Sequence, residues 1–413
     1  MGDLQAGFFA PTLNRGRNEQ PRIVIGITHA QTCLVLRGRL RALREAGFRV
    51  ALLCSPGELL DRIASDEEVE TVPIPMRRSF SPLFDLVSLL RISFALLRLR
   101  PAITEFSTPK AGLLGSLAAL LCGVPRRVYL VRGLRLETVS GWRHAVLAAS
   151  ERVSAACSHL VLCNSESLRQ QVATLGLAPA AKIQVLGYGS SNGVDLEHFM
   201  PGTSHLRAER SIPADAPVIG FAGRLTRDKG IPELLEAFEQ ILRKIPQSRL
   251  LMVGWFDESD DALSPELRRR IARHPRVVHT GFVQDAAPWY RSMDVMVLPT
   301  WREGFPNAVL EAAASGVPVI TTHATGARDS VLPEVTGLLV PPGDPSAIAE
   351  AVLTLLKDVA RRRRMGWAAR EWVSECFPRE RVQARAVALY GMMIDDRARA
   401  TSRVFATDGF AAD

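Results

Sequence analysis

DVMVLPTWREGFPNAVLEAAASGVPVITT, residues 294–322, is the stretch that decides the fold of this chain. It opens and closes with short apolar runs of the kind that form buried parallel strands. Between them, a turn containing a Gly and a Pro leads into a helix that begins near Asn307. A strand, a helix and a second strand in this order predict a parallel α/β sheet with right-handed crossovers.

The same alternation occurs in two series along the chain. The first series has predicted strands at 21–28, 48–56, 128–133 and 159–165, with helices at 34–46 and 141–156. The second has predicted strands at 217–225, 249–255, 277–283, 294–300, 317–322 and 337–343, with a helix at 232–244. Residues 195–217 are polar and aperiodic, which predicts a linker. Two successive sheets predict a cleft between them at the carboxyl ends of their strands.

The composition is that of a globular protein with two cores, since 47% of the 413 residues are hydrophobic. No apolar run reaches the roughly 18 residues that span a bilayer. The N-terminus lacks the basic and apolar segments of a secretory signal. The six cysteines form no C-x-x-C pair, which favours reduced cytosolic thiols over a metal site.

The net charge of +8 is concentrated in residues 1–200, which hold 23 Lys and Arg against 16 Asp and Glu. This excess suits an anionic membrane surface or substrate, and an arginine-rich composition is the alternative. Nucleic acid is disfavoured, because aromatic residues make up only 6% of the chain. The apolar run 86–101 carries Arg91, Arg98 and Arg100. It suits a helix on an anionic bilayer or a core helix, and we favour the core helix.

The helix predicted from Asn307 presents free backbone N–H groups and the positive end of its dipole, which suit a diphosphate. Glu303 lies just before this helix and Glu311 lies about one turn inside it. Because carboxylates accept hydrogen bonds from hydroxyls, the two can hold a sugar and a ribose. A capped helix with a solvated Glu is the alternative.

A second segment, FAGRLTRDKGI at 221–231, follows the first strand of the second series. Gly223 allows a close approach of the backbone, and Arg224 and Lys229 project from the loop. Two cations at this edge can neutralise a diphosphate and stabilise it as it departs. A solvated loop is the alternative.

Together, GRLTRDKG and EGFPNAVLEAAASGVPVI closely resemble glycosyltransferase family 4 over roughly residues 20–395. The resemblance implies a retaining enzyme of the GT-B fold, in which two Rossmann-like domains face their parallel sheets across a cleft. It implies the following organisation: a disordered leader at 1–20, an acceptor-binding domain at 21–195, a linker at 196–216, a nucleotide-sugar-binding domain at 217–375, a helix at 376–400 that crosses back to the N-terminal domain, and a disordered tail at 401–413.

The resemblance also implies residue roles. Glu303, Arg224 and Lys229 are the expected catalytic residues: Glu303 contacts hydroxyls of the donor sugar, and the two cations hold its diphosphate. Glu311 is expected to bind the ribose. The other expected donor-binding residues are Gly304, Phe305, Pro306 and Asn307 in the loop, Val283 and Gln284 near the base, and Asn192 at the hinge. We expect no metal or cofactor, because the cations take the place of a metal.

In the N-terminal half, 108–137 and 186–199 resemble the branch that builds capsules, exopolysaccharides and lipid-linked glycans. In that branch the acceptor is commonly a polyprenyl-diphosphate sugar. The resemblance implies that Lys110 lines the acceptor side of the cleft. It also implies a cytoplasmic protein in peripheral contact with the anionic inner face of the plasma membrane.

The N-terminal half departs from the family at two positions. Arg132 stands where many members carry a His near the donor sugar, and an arginine cannot act as a base at neutral pH. It can instead bind a phosphate or an acceptor group. The family's glycine-rich loop is replaced by THAQTCLV at 28–35, where His29 either projects into the cleft or serves a structural role.

We therefore expect transfer of a hexose or N-acetylhexosamine from a nucleotide-diphosphate sugar, with UDP favoured, to a lipid-linked sugar. One alternative is a soluble glycosyltransferase that decorates an antibiotic or another small molecule. A remoter alternative is a non-catalytic nucleotide-sugar-binding protein, which the presence of all four charged donor-site residues disfavours.

Overall fold

The computed structural model describes residues 20–77 and 81–395. The chain forms two parallel sheets covered by helices, which confirms the predicted α/β class. The predicted tail and all but the last residue of the predicted leader lie outside the described residues, as do residues 396–400 of the predicted C-terminal helix.

The first sheet has seven strands, all paired in parallel. They are β1 (Arg22–Gly26), β2 (Arg49–Cys54), β3 (Glu70–Pro73), β4 (Ile103–Ser107), β5 (Arg126–Val131), β6 (Leu160–Cys163) and β7 (Ile183–Val185). Their spatial order is β3-β2-β1-β4-β5-β6-β7. The helices between them are α1 (Arg39–Glu45), α2 (Glu58–Glu67), α3 (Pro82–Leu99), α4 (Pro109–Leu121), α5 (Gly141–Ala156) and α6 (Glu166–Thr174).

The second sheet has six parallel strands and follows the short helix α7 (Leu206–Glu209), which lies in the predicted linker. The strands are β8 (Val218–Ala222), β9 (Arg249–Val253), β10 (Val277–His279), β11 (Val295–Leu298), β12 (Val319–Thr322) and β13 (Gly337–Val340), in the order β10-β9-β8-β11-β12-β13. The remaining helices are α8 (Ile231–Lys244), α9 (Pro265–Arg273), α10 (Ala287–Tyr290), α11 (Asn307–Ala314), α12 (Pro345–Lys357), α13 (Val359–Cys376) and α14 (Arg379–Ile394).

Both faces of the first sheet are buried, and β1 shows how. Ile23 and Ile25 pack into a core shared with α1, α2 and α14, whereas Val24 packs into a core shared with α3 and α4. Alternate side chains of a strand point to opposite faces, so an all-apolar strand suits a sheet covered on both sides.

The chain passes between the two sheets twice, and the two passages are hydrogen-bonded to each other. Val194 N–H donates to the carbonyl of Phe377, and Arg379 N–H donates to the carbonyl of Val194, both at 3.0 Å. Beyond this point α14 packs on the first sheet, where the hydroxyl of Tyr390 is buried against Arg39 and Glu105.

Two predicted helices differ from the structure. The segment 34–46 is not one helix: a 3₁₀ segment at Ala30–Leu36 is separated from α1 by Gly38, whose φ of 76° breaks the helical path. The prediction that 86–101 forms a core helix is correct for only one side of α3. That side is buried, whereas the other side exposes apolar residues. Within 20–77 and 81–395, no helix is both long enough and apolar enough to cross a bilayer.

Candidate active site

Three loops meet at the carboxyl edge of the second sheet, after β8, β11 and β12. Trp301 N–H donates to the carbonyl of Asp228 at 2.9 Å, which joins the loops after β11 and β8. Glu303 N–H donates to the carbonyl of Thr325 at 2.9 Å, which joins the loops after β11 and β12. These backbone bonds fix the position of Glu303 relative to the 224–230 loop.

Lys229 and Glu303, two of the three predicted catalytic residues, form an ion pair. Both side chains are only 14% exposed, so the pair is shielded from water and its attraction is stronger than that of a surface pair. The sequence alone assigned Lys229 to the diphosphate and Glu303 to the sugar. The structure shows that the two side chains are in direct contact, so one ligand can reach both of them.

Arg224, the third predicted catalytic residue, is paired with Asp257 at the same edge. Burial alone would lower the pKa of this guanidinium, but the hydrogen bond and charge of Asp257 outweigh it and raise the pKa. Arg224 therefore remains a cation beside the Lys229–Glu303 pair. The negative charge of Glu303 also raises the pKa of Arg224. The arrangement offers two fixed cations to an anionic ligand.

Asp228 and Arg302, which no sequence pattern indicated, support this site. Arg302 Nη2 donates to Asp228 Oδ2 at 2.7 Å, and its Nε donates to the hydroxyl of Thr138 in the N-terminal half at 3.0 Å. Burial acts to raise the pKa of Asp228, but Lys229 and Arg302 outweigh it and lower the pKa. Both residues lie within the quoted motifs, and their long-range partners explain why a linear pattern did not reveal their role.

Glu311 lies one turn into α11, where Tyr290 donates its hydroxyl to Oε2 at 2.8 Å. Burial raises the pKa of Glu311 to about 7, although the bond from Tyr290 opposes this rise. Its ionisation therefore changes near neutral pH, which affects how well it accepts hydrogen bonds from hydroxyls.

The loop between Glu303 and α11 lies against the N-terminal half. A Cβ on Gly304 would lie 2.3 Å from the carbonyl oxygen of Arg132, so only glycine allows this contact. Phe305 is buried and packs on Phe377, with ring centroids 5.2 Å apart. Asn307 begins α11, and its buried Oδ1 has no partner among the described residues.

Pro306 precedes α11, and the two predicted base contacts lie further along the same sheet edge. Val283 packs partly against the core of the second sheet, whereas Gln284 is exposed. They follow Gly281, whose carbonyl accepts from Gly254 N–H at 3.1 Å at the end of β9. The donor-site roles of the loop and of this segment remain predictions.

Asn192 lies away from these loops. Its Nδ2 donates to the carbonyl of Arg37 at 2.7 Å, and its Oδ1 accepts from Gln383 of α14 at 3.1 Å. Both ends of the amide thus bind the N-terminal half and the returning helix. A donor contact by Asn192 remains a prediction that these bonds do not support.

On the N-terminal side, Arg132 lies at the carboxyl edge of the first sheet. Its Nε donates to the Ser107 hydroxyl at 3.1 Å, while Nη1 and Nη2 are buried and have no partner among the described residues. Burial, aided by the charge of Arg39, lowers the pKa of Arg132 to about 10. A buried guanidinium with two unused donor groups suits an anionic ligand.

The other two predicted acceptor-side residues are held by local contacts. Lys110 is the second residue of α4, and its ammonium pairs with Asp85 of α3 at 2.6 Å. His29 Nδ1 accepts from Gln31 N–H at 3.4 Å and caps the 3₁₀ segment that follows, which favours the structural alternative. The structure thus assembles one cluster around Glu303, and the backbone of Arg132 at the edge of the first sheet lies against the neighbouring Gly304.

The chain matches two family models: a glycosyl transferase 4-like domain over residues 35–189 and glycosyl transferases group 1 over residues 216–358. It is 36% identical over 371 residues to the capsular polysaccharide biosynthesis glycosyltransferase CapM of Staphylococcus aureus, covering 90% of this chain and 97% of the relative.

A second relative and one solved structure extend the comparison. The chain is 28% identical to the UDP-Gal:alpha-D-GlcNAc-diphosphoundecaprenol alpha-1,3-galactosyltransferase of Escherichia coli, covering 81% of this chain and 88% of the relative. Its fold is similar to that of HepE from Anabaena in complex with UDP and glucose, with a TM-score of 0.74 and 20% identity over 90% of this chain and 99% of the other.

Proposed function

Because the chain belongs to the group 1, family 4-like glycosyltransferases and has their GT-B fold, we propose that it transfers a hexose or N-acetylhexosamine from a UDP-sugar to a lipid-linked sugar in polysaccharide assembly. The observation that carries this proposal is the buried Lys229–Glu303 pair beside Arg224, at the carboxyl edge of the second sheet. The two cations match the negative charges of a diphosphate, and the carboxylate matches the hydrogen-bond donors of the sugar hydroxyls.

In the proposed donor complex, Arg224 and Lys229 bind the diphosphate and Glu303 accepts hydrogen bonds from the sugar hydroxyls. The diphosphate replaces Glu303 as the main partner of Lys229, and the sugar hydroxyls replace Lys229 as partners of Glu303. This exchange leaves Lys229 paired with the diphosphate and Glu303 hydrogen-bonded to the hydroxyls, so neither charge is left without a partner. Glu311 accepts from the ribose with the oxygen that Tyr290 leaves available.

The proposed reaction proceeds with retention on one face of the sugar. The bond between the anomeric carbon and the diphosphate oxygen breaks, and the acceptor hydroxyl oxygen bonds the same carbon from the same side. The acceptor proton passes to the departing diphosphate oxygen. Arg224 and Lys229 stabilise the developing negative charge, so this step uses them where other enzymes use a metal.

The proposed acceptor is a polyprenyl-diphosphate sugar at the inner face of the plasma membrane. The similarity to the Staphylococcus aureus and Escherichia coli relatives supports it, because the name of one concerns capsular polysaccharide and that of the other a diphosphoundecaprenol acceptor. The unused donor groups of Arg132 also support it, since a guanidinium suits an acceptor phosphate.

The experiment is a panel of UDP-sugars and GDP-mannose, with nucleotide release measured with and without a polyprenyl-diphosphate sugar. We expect one UDP-sugar to give release that depends on the lipid-linked acceptor, and an NMR spectrum of the product that shows the donor's anomeric configuration. Glu303→Ala abolishes this release, whereas Glu350→Gln, an exposed carboxylate on α12, does not.

Two outcomes contradict the proposal. Nucleotide release that requires a small-molecule acceptor and does not occur with the lipid-linked acceptor identifies a soluble glycosyltransferase that modifies small molecules. Tight binding of UDP-sugars without turnover on any acceptor identifies a non-catalytic binding protein.

A further inference from the structure

Helix α3 is apolar on two opposite sides. One side packs into the core beneath it through Ile92, Leu96 and Leu99. The other side exposes a second set of large apolar side chains: Leu83, Leu86, Val87, Leu90, Phe94 and Leu97. Apart from the adjacent Leu86 and Val87, successive members are three or four residues apart, so they form a single stripe along the helix. We call this set the outer stripe.

The outer stripe is strongly exposed. Leu83 is 80% exposed, Phe94 is 71% exposed and Leu90 is 61% exposed. Leu121, at the end of the neighbouring α4, is 68% exposed. A surface helix ordinarily presents polar residues on this side, and a contiguous exposed apolar surface marks an interaction site.

Arginines border the stripe. Arg91 and Arg98 are exposed, lie seven residues apart and therefore share one flank of the helix. Neither has a carboxylate or hydrogen-bond partner in the described parts of the chain. The Arg77 guanidinium lies over the Phe84 ring, 3.5 Å from its centroid, at the start of the helix.

A groove separates α3 from β3, the edge strand of the first sheet, and measures about 1100 Å³ including its open mouth. Its wall includes Val72 and Ile74 on one side and Leu90 and Phe94 on the other, with Arg91 and Arg98 along the helix. Glu70 also lines the groove, and its carboxylate lies 3.8 Å from the guanidinium of Arg22. An apolar groove with two arginines on one wall has the chemistry of an anionic lipid, which joins an acyl chain to a phosphate.

We propose that the outer stripe of α3 is the surface through which the protein docks on an anionic bilayer. The apolar side chains enter the boundary between headgroups and acyl chains, and Arg91 and Arg98 pair with lipid phosphates. This inference rests on the proposed function in one respect: a lipid-linked acceptor would reach the cleft from the bilayer on which the protein docks.

The position of α3 fits this role. The helix begins at the carboxyl edge of the first sheet, and the bond between Lys110 and Asp85 ties its first turn to the start of α4. A bilayer that covers the outer stripe therefore lies next to the predicted acceptor side of the cleft.

A second copy of the chain fits the stripe less well. In a two-fold dimer that buries α3 against α3, Arg91 and Arg98 of both copies face each other, and no carboxylate of the stripe offsets their repulsion. The excess of basic residues in 1–200 likewise favours an anionic surface.

The test is sedimentation of the purified full chain with vesicles of phosphatidylcholine, with and without phosphatidylglycerol. We expect binding to the phosphatidylglycerol vesicles, and a loss of at least about tenfold in affinity for Leu90→Ser/Phe94→Ser and for Arg91→Glu/Arg98→Glu. The matched controls are Trp367→Ser and Arg363→Glu/Arg364→Glu, exposed residues on α13, which we expect to bind as wild type does.

Turnover with a water-soluble, short-chain acceptor separates this inference from the proposed function. The α3 variants keep that turnover and their melting temperature, because the substituted side chains are exposed. If the variants bind vesicles as wild type does, the docking surface is wrong even though transfer proceeds. It is also wrong if light scattering shows a wild-type dimer that Leu90→Ser/Phe94→Ser converts to a monomer.

Discussion

Lys229→Met removes a largely buried cation while keeping most of the side-chain volume, so it measures what that charge contributes. The substitution leaves Glu303, whose side chain is 14% exposed, without its partner. Removing one member of a buried ion pair costs about 3–5 kcal/mol. Because Arg224 also acts on Glu303 electrostatically, we expect a loss near the lower end, about 3 kcal/mol in unfolding free energy.

The same substitution affects catalysis through the departing diphosphate. Loss of one group that stabilises developing negative charge lowers kcat by about 100- to 1000-fold. A double variant separates this effect from the loss of stability. Lys229→Met/Glu303→Gln carries no unpaired charge, so its unfolding free energy returns to within about 1 kcal/mol of wild type, while its kcat remains low.

Urea unfolding measures the stability of these variants, and release of UDP in the presence of acceptor measures their turnover. Lys244→Met, at the exposed end of α8, is the matched control and leaves both quantities unchanged. Lys229 does not stabilise the departing diphosphate if Lys229→Met retains kcat within about threefold of wild type, or if the double variant regains activity together with stability.

We make three further predictions, which concern Glu311, Arg132 and Tyr390. The pKa of Glu311 is raised to about 7, and its ionised form is the better acceptor of hydrogen bonds from hydroxyls. The KM for the donor therefore falls as pH rises from about 6 to 8. Glu311→Gln removes this pH dependence, and an unchanged pH profile in that variant contradicts a role for Glu311 in donor binding. Arg132→Met raises the KM for the lipid-linked acceptor by about tenfold or more without changing the KM for the donor. Equal changes in both KM values would contradict a specific role of Arg132 in acceptor binding. Tyr390→Phe lowers unfolding free energy by about 1–3 kcal/mol, because a buried hydroxyl between Arg39 and Glu105 is lost; thermal unfolding measures it, and an unchanged melting temperature would contradict it.

Sequence patterns predicted the parts of the fold that depend on local chemistry. The apolar runs became β8, β11 and β12, and the helix expected near Asn307 begins at that residue. These elements are set by periodicity and by turn residues, which a linear sequence shows directly.

Contacts between distant residues were not predictable in this way. Lys229 and Glu303 are 74 residues apart, and only the pairing of β8 with β11 brings their loops together. Arg302 likewise contacts Thr138 at 164 residues of separation. The sequence identified the charged residues of the site but not which of them contact one another.

The exposure of α3 was missed for a different reason. Its sequence is apolar nearly all round, and such a helix is ordinarily buried. Which side is covered depends on the elements that pack against it, here α4 and the first sheet. The outer stripe is therefore a property of the assembled fold.

A structure of the protein with bound UDP-sugar tests the central claim most directly. We expect the diphosphate within hydrogen-bonding distance of the Arg224 guanidinium and the Lys229 ammonium, and we expect Glu303 to bind the sugar hydroxyls in place of Lys229. A diphosphate bound at the edge of the first sheet near Arg132, with the Lys229–Glu303 pair intact, would contradict it.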